Sequence, residues 1–264
     1  MAKGALAYVQ GNSFIHRLNP ITVLTYTLSI TVLGIGVGQI WILMLVFAFN
    51  MVLVYKAGVI KSFMGMFLRV TIPIVVPMFI IDTLFYPGSK TILYQLGPLM
   101  IRYEGLMFAA TVISRLLAIL SAYFMMVLVI HPRDLMIALG NRGVSPKIGY
   151  LVLSTLQLIP YIQQTAERIL DAQRSRGLSL KGSIFKRFKS YIPLMAPVVM
   201  GSFASLEIRA MALEVRGFNL PNRRVYIREV ADTPQDAVLR RVIMVIAGLI
   251  LVVSIYFHYF AKAG

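Results

Sequence analysis

Long apolar stretches alternate with charged segments along this chain. Four stretches contain almost no Asp, Glu, Lys or Arg: residues 18–55, 70–89, 105–130 and 242–261. A bilayer core of about 30 Å takes about 20 helical residues, so each stretch can hold a membrane-spanning helix. The first is long enough for two spans, and its glycine-rich centre at 34–39 predicts the turn between them. The pattern therefore predicts an all-α integral membrane protein with about five transmembrane helices.

Residues 131–236 form the polar part of the chain, between four transmembrane helices in 1–130 and a last one in 237–264. This part holds most of the charged residues, but it also contains two apolar runs, 148–166 and 190–206, that each lead into a charged stretch. We predict a short helix followed by two long helices over 148–176 and 190–216. The apolar runs contain proline and have a marginal length for a span. The pattern leaves open whether they enter the membrane or lie along its inner face.

The composition supports a membrane location and excludes several other classes of protein. Of 264 residues, 58% are hydrophobic and only 14% are charged, against about a quarter in soluble domains. The 26 Lys and Arg residues lie mostly beside the spans, and the positive-inside rule then places the N-terminus and the polar segment in the cytoplasm. This arrangement accounts for the net charge of +16 without nucleic acid. Cysteine is absent and the three histidines are scattered, so we expect no bound metal and no thiol catalysis.

The two long predicted helices end in the same way. Aligned at an offset of 40 residues, they share a glutamate, an alanine, an arginine and a glycine: Glu167, Ala172, Arg176 and Gly177 in the first, and Glu207, Ala212, Arg216 and Gly217 in the second. Two interpretations are open. A glycine after the last helical turn is the usual left-handed cap, and a cation there complements the helix dipole. Alternatively, each arginine is a fixed cation that docks a carboxylate-bearing groove of a cytoplasmic partner, since its planar fork binds carboxylates through two hydrogen bonds.

The chain resembles the transmembrane T component of energy-coupling factor (ECF) transporters over nearly its whole length. Residues 13–20 (Ser-Phe-Ile-His-Arg-Leu-Asn-Pro) are similar to the family's motif before the first span, residues 103–106 with Arg115 to its central span, and residues 132–139 to its short first coupling helix. The strongest likeness is to the family's two Ala-Arg-Gly signatures. Those positions here are Ser175-Arg176-Gly177, supported by Ala172 and Arg174, and Val215-Arg216-Gly217, supported by Ala212 and Glu214.

The resemblance implies a coupling subunit of an ATP-driven importer of a vitamin or metal ion in a prokaryotic cell membrane. Its expected partners are two ABC-type ATPases, identical or different, and a small membrane S component that binds the substrate. The two arginine signatures would dock the ATPases. The chain has no phosphate-binding loop of the Gly-x4-Gly-Lys-Ser/Thr type, so ATP is expected to bind to the partners and this chain to be neither an enzyme nor a cofactor protein.

Two charged residues inside the predicted spans support a different class of protein. Asp82 and Arg115 lie within apolar stretches, and such residues often mark a substrate path or proton relay. They would suit a stand-alone secondary transporter or channel, which is the alternative function. In the structural interpretation, Asp82 lies at the boundary of its span and Arg115 fixes the packing of the helices. An ordinary ABC permease would have one coupling helix in each subunit, whereas this chain has two matched helix ends.

Overall fold

A computed structural model describes residues 8–11, 13–85, 92–96, 99–177, 184–218 and 230–263. The elements in chain order are α1 (Phe14–Arg17), α2 (Pro20–Gly36), α3 (Ile40–Ala57), α4 (Ile60–Phe85), β1 (Ile92–Leu96), β2 (Leu99–Arg102), α5 (Tyr103–Val129), α6 (Pro132–Gly140), α7 (Pro146–Ser175), α8 (Ile184–Val215) and α9 (Pro234–Ala263). Residue contacts divide the chain into two units. We call residues 7–143 with 230–264 the membrane unit, and residues 1–6 with 144–229 the helix-pair unit.

The predicted helical membrane fold is confirmed. Among the described residues, α3, α4, α5 and the first 21 residues of α9 are long and apolar enough to cross a membrane, and α2 is a shorter apolar helix of 17 residues. The predicted turn at 34–39 is confirmed too, since α2 ends at Gly36 and α3 begins at Ile40. The short antiparallel hairpin of β1 and β2 is an addition that the apolar pattern does not predict.

Helix α5 lies at the centre of the membrane unit, where it packs against α2, α3 and α4, and α9 packs against α2. Aromatic rings join α4 to α5: the Phe67 ring centroid lies 5.1 Å from that of Phe63 and 6.1 Å from that of Phe124. Small side chains on α5 let neighbouring helices approach closely. Those that are completely buried are Ala109, Ala118, Ser121 and Ala122.

The carboxyl end of α2 is held by polar side chains from other helices. With 17 residues, α2 rises about 25 Å, which is less than the hydrocarbon thickness of a bilayer. The next residue, Val37, is completely buried, and its carbonyl accepts a hydrogen bond from Arg115 Nη2 on α5 at 3.2 Å. Ser254 Oγ on α9 donates to Gln39 Oε1 at 2.6 Å. The Arg115 contact supplies a partner to irregular backbone that lipid cannot hydrogen-bond, and the Ser254–Gln39 bond joins the turn to α9.

A buried asparagine joins three helices of the membrane unit. Asn50 on α3 is completely buried. Its Oδ1 accepts a hydrogen bond from Tyr26 Oη on α2 at 2.6 Å, and its Nδ2 donates to Ser121 Oγ on α5 at 2.9 Å. Because polar side chains in an apolar interior cost free energy unless they are paired, this network favours one register of the three helices.

Replacing Asn50 with leucine is expected to lower the free energy of unfolding by about 1–2 kcal/mol, because Tyr26 and Ser121 lose their partner. Thermal unfolding in detergent measures the loss. The control is Gln164→Leu at an exposed position of α7, which should leave the melting temperature almost unchanged. Equal melting temperatures for Asn50→Leu and the unmodified protein would show that the network does not stabilise the fold.

Candidate functional site

Helix α7 begins and ends with residues suited to those positions. Pro146 is its first residue, where a missing N–H costs nothing, and Ser145 precedes it. The helix continues through Pro160 for 30 residues to Ser175. Gly177 follows with a φ of 93°, and its N–H donates to the Arg174 carbonyl at 3.0 Å. The predicted glycine cap is therefore present at the end of the first long helix.

Helix α8 ends in the same conformation. Gly217 has a φ of 71°, and its N–H donates to the Glu214 carbonyl at 2.9 Å. The Phe218 N–H donates to the Leu213 carbonyl, also at 2.9 Å. These two hydrogen bonds define the Schellman motif, in which a left-handed glycine closes a helix. Arg216 occupies the place in α8 that Arg176 occupies in α7, immediately before the glycine.

The side chains of Arg176 and Arg216 are exposed at these two ends. Neither guanidinium has a hydrogen bond or ion pair with any of the described residues. Arg174 differs, because its Nη1 lies 3.1 Å from Asp171 Oδ1 one turn earlier. Backbone N–H groups bond carbonyls in the last turn of each helix. The capping interpretation therefore accounts for the glycines and leaves both arginine side chains without a partner among the described residues.

The supporting residues named from the sequence also lie on the surface. Ala172 and Ala212, one turn before each arginine, are exposed, and so is Glu214. Ser175 Oγ donates to the Asp171 carbonyl at 3.2 Å. Val215 is also exposed, at 89%. We call residues 174–177 the Ser tip and residues 214–217 the Val tip.

The two tips lie at opposite ends of the helix pair, because α7 and α8 run antiparallel. The Tyr150 ring near the start of α7 lies 5.0 Å from the Phe218 ring at the end of α8. Nearer the middle, Arg209 Cζ lies 5.5 Å from the centroid of the Tyr161 ring. Tyr150 and Arg176 are 26 positions apart in sequence, so at 1.5 Å per residue the two tips are separated by about 40 Å. One groove of a partner cannot contact both tips.

The helix pair also has an apolar groove. Its volume is about 530 Å³, and Glu167 is the one ionisable side chain among the described residues that line it. Several of the apolar side chains around it are more than 60% exposed, including Met195 and Phe203. The residues that line the groove are Ile162, Ala166, Glu167, Leu170, Met195, Val198, Val199, Ser202, Phe203 and Leu206.

Asp82 and Arg115 lie apart from the tips, in the membrane unit. Arg115 contacts the Val37 carbonyl as described above, while its Nε is buried and has no hydrogen-bond partner among the described residues. Asp82 Oδ2 near the end of α4 is also buried without such a partner. The described residues contain no ion pair between Asp82 and Arg115.

Two histidines have local structural roles. His131 Nδ1 accepts a hydrogen bond from the Arg133 N–H at 3.1 Å and so caps the start of α6. His16 Nε2 donates to the Val9 carbonyl at 3.1 Å, and its Nδ1 lies 2.7 Å from Ser13 Oγ. Within the described part of the chain, no group of three or more His, Cys, Asp or Glu side chains is placed to hold a metal ion.

Sequence reasoning missed a polar network that ties α9 to the start of α2. Asp236 is buried and accepts hydrogen bonds from the Asn19 N–H at 3.2 Å and from Thr22 Oγ1 at 3.3 Å. Thr233 and Asp236 also bond each other's backbone N–H groups, which is a capping box at the first turn of α9. The signal in the sequence is Thr233-Pro234-Gln235-Asp236, since a threonine followed three positions later by an acid typically starts a helix.

A second part of this network lies near residues 143 and 230, where the chain leaves the membrane unit and returns to it. Arg240 is buried and binds Asp232 through two hydrogen bonds of 2.8 and 3.0 Å. Arg142 Nη2 lies 3.1 Å from the same carboxylate. Hydrogen bonding to Arg240, reinforced by Arg142, lowers the pKa of Asp232 below its usual value of 3.8. Arg142 and Asp232 flank residues 144–229, which form the larger segment of the helix-pair unit.

The lowered pKa of Asp232 predicts a specific pH dependence of stability. Because the carboxylate is stabilised in the folded protein, its contribution is complete above the unfolded pKa and disappears as the pH falls through the folded pKa. The melting temperature of Asp232→Asn should therefore be lower than that of the unmodified protein at pH 6. The difference should shrink once the pH falls below about 4. Melting curves of both proteins from pH 6 to pH 3 test this, and a difference that is constant with pH would contradict it.

Comparisons with known proteins identify the family of this chain. The model of a family described as cobalt transport protein, CbiQ, matches residues 11–227. A similar protein from Leuconostoc gelidum is 28% identical over 263 residues, covering 95% of this chain and 97% of its own length. One from Thermosediminibacter oceani is 26% identical over 238 residues (87% and 89%), and one from Streptococcus equi is 26% identical over 253 residues (92% and 93%). All three are named energy-coupling factor transporter transmembrane protein EcfT.

The family match covers most of the chain, including both tips, and the matches to the three relatives extend over nearly their whole lengths. The chain is thus a multi-pass protein of a prokaryotic cell membrane and a membrane transport subunit. It belongs to the CbiQ family, as a transmembrane component of energy-coupling factor transporters.

Proposed function

We propose that this protein couples ATP hydrolysis in two cytoplasmic ABC-type ATPases to substrate uptake by a small membrane S component. The observation that carries the proposal is the pair of tips. Arg176 and Arg216 are exposed, have no partner among the described residues, and stand at matched helix ends about 40 Å apart. Each arginine binds a carboxylate in a groove of one ATPase subunit.

The stiffness of α7 and α8 suits this role. The helices contain 30 and 32 residues and contact each other at more than one point: the Tyr150 ring lies near that of Phe218, and Arg209 lies over the Tyr161 ring. When the ATPases close on ATP, their grooves move together and take the two tips with them, so that the helices change their crossing geometry. The apolar groove and the exposed apolar side chains around it then move as well. We propose that the S component rests on this surface.

The orientation follows from the distribution of basic residues. With the N-terminus and residues 131–236 in the cytoplasm, most Lys and Arg residues lie on the side of the membrane that the positive-inside rule requires. Both tips then face the compartment in which ATP is available. We assign the substrate to the class of vitamins and metal ions. In this proposal, the S component binds the substrate.

Affinity purification of the tagged protein from its native membrane, in mild detergent and followed by mass spectrometry, tests the proposal. Recovery of ABC-type ATPases together with a small, very hydrophobic protein would support it, and the small protein would point to the substrate. Recovery of this chain alone, active in transport after reconstitution by itself, would overturn the proposal in favour of a stand-alone secondary transporter.

A further inference from the structure

The membrane unit has an apolar groove of its own, which we call the α1 groove. Its volume is about 200 Å³, and side chains from α1, α2, α3, α5 and α9 line it. Phe14 on α1 and Phe49 on α3 are among these residues, and they are 73% and 51% exposed. The groove is therefore open to the surroundings of the protein on this side.

The polar side chains that line the α1 groove already have partners. These side chains are Thr22 and Tyr26 on α2. Thr22 Oγ1 donates to Asp236 Oδ1 at 3.3 Å and accepts from Arg240 Nη1 at 3.1 Å. The Tyr26 hydroxyl donates to Asn50 Oδ1 at 2.6 Å. Because a polar ligand would lose hydrogen bonds to water here without replacing them, the groove suits a hydrocarbon chain.

The α1 groove lies near three helix ends. Helix α2 begins at Pro20 and α9 begins at Pro234, while α3 ends at Ala57. On these helices, the lining residue farthest from those ends is Ile243 on α9, which lies about 14 Å along the helix axis from Pro234. Half of a hydrocarbon core is about 15 Å thick, so the groove extends over the acyl region of one leaflet. In the orientation proposed above, this is the cytoplasmic leaflet.

Two exposed cations lie beside the α1 groove. Arg17 immediately precedes the lining residue Leu18. Lys56 follows the lining residue Leu53 by three positions, which places it on the same face of α3. Helix α1 packs against α3, and its Ile15 belongs to the core cluster at the end of α3, so both cations lie at the same edge of the groove. Neither side chain has a hydrogen bond or ion pair with any described residue.

We propose that the α1 groove is a binding site for an anionic phospholipid. One acyl chain lies in the groove, and Arg17 and Lys56 bind the phosphate at its end. A basic pair next to an apolar groove between membrane helices matches a lipid that joins a charged head group to a hydrocarbon chain. Free phosphate would leave the groove empty, and a lipid without net charge would leave the two cations unbalanced. The site does not depend on the docking function of the tips.

Native mass spectrometry of the delipidated protein in detergent tests the charge requirement. It measures the binding of phosphatidylglycerol, which is anionic, and of phosphatidylcholine, which has no net charge, with identical acyl chains. We expect the first phosphatidylglycerol to bind more tightly than phosphatidylcholine. The double variant Arg17→Gln with Lys56→Gln should lower the affinity for phosphatidylglycerol about tenfold, because each cation near the head group contributes to binding. Its affinity for phosphatidylcholine should stay almost unchanged.

The chain offers a control with the same change of net charge. Lys61→Gln with Arg241→Gln removes two exposed cations near the beginnings of α4 and α9 that do not line the α1 groove. This variant should bind phosphatidylglycerol like the unmodified protein. Equal losses in the two double variants would show that the lipid responds only to net charge and would overturn the proposed site.

Photolabelling locates the bound chain. The protein is reconstituted with its copurifying partners into vesicles of phosphatidylcholine and phosphatidylglycerol, a fraction of the latter carrying a diazirine in one acyl chain. After illumination, mass spectrometry should find the label concentrated in residues 14–26, 49–53 and 239–243, and greatly reduced there in Arg17→Gln with Lys56→Gln. Label spread evenly over the apolar surfaces of α4 and α9 would overturn the proposal. A groove that stays unlabelled would overturn it in favour of a protein partner that covers this surface.

Discussion

Replacing both Arg176 and Arg216 with alanine is expected to abolish ATP-driven uptake while leaving a folded, membrane-inserted protein. In the proposed docking, each truncation removes a paired cation and leaves a carboxylate of the ATPase without its partner, at a cost of about 2–5 kcal/mol per tip. A cost of 2 kcal/mol corresponds to about a 30-fold loss of affinity at that tip. Uptake of radiolabelled substrate into cells or proteoliposomes that contain the complete transporter measures the effect.

The chain offers a matched control for this pair of substitutions. Arg174→Ala removes an exposed cation two positions from Arg176, but that cation is already paired with Asp171, so uptake should be reduced much less. The melting temperature of the double variant should stay close to that of the unmodified protein, because both glycine caps remain. Uptake by the double variant at the unmodified rate would show that the arginines only complement the helix dipoles.

Replacing Asp236 with alanine is expected to have the largest effect on stability, a loss of about 3 kcal/mol or more. Asp236 is 6% exposed, and its carboxylate accepts hydrogen bonds from the Asn19 N–H, from Thr22 Oγ1 and from the Thr233 N–H and Oγ1. Its removal leaves several of these donors without a partner in a site that water reaches poorly, and each such donor costs about 1–3 kcal/mol. Thermal unfolding in detergent measures the loss.

The control for Asp236 is the exposed Asp171. Its side chain is 70% exposed and makes an ion pair with Arg174, so Asp171→Ala should change the free energy of unfolding by less than about 0.5 kcal/mol. Similar melting temperatures for Asp236→Ala and Asp171→Ala would show that the link between α2 and α9 does not hold the membrane unit together.

The spans could be predicted from the sequence because a long run of apolar residues is enough to identify a membrane-spanning helix. The break between α2 and α3 falls within the predicted 34–39, and both long polar helices end at the predicted glycines with positive φ. A span needs a long run of apolar residues, and a left-handed helix end strongly favours glycine. Both requirements can be recognised in a short window of sequence. The boundaries 131 and 236 of the polar segment and the docking role of the tips stay predictions.

Long-range polar contacts could not be predicted in this way. Asn19 and Asp236 are 217 positions apart, and only the packing of α9 on α2 brings them together. Asn50 is uncharged, so a search for charged residues within spans finds Asp82 and Arg115 but passes over it. The 89% exposure of Val215 needed the structure as well, because it depends on which face of α8 is left uncovered.

The most direct test of the account is the amount of ATPase that copurifies with each tip variant. Quantitative mass spectrometry of complexes isolated with the unmodified protein, Arg176→Ala, Arg216→Ala and the double variant gives the ratio of ATPase to this chain. We expect about two ATPase subunits per unmodified chain, a weakened complex with each single variant, and almost none with the double variant, at equal recovery of the membrane protein. An unchanged ratio in the double variant would contradict the claim that these two arginines dock the ATPases.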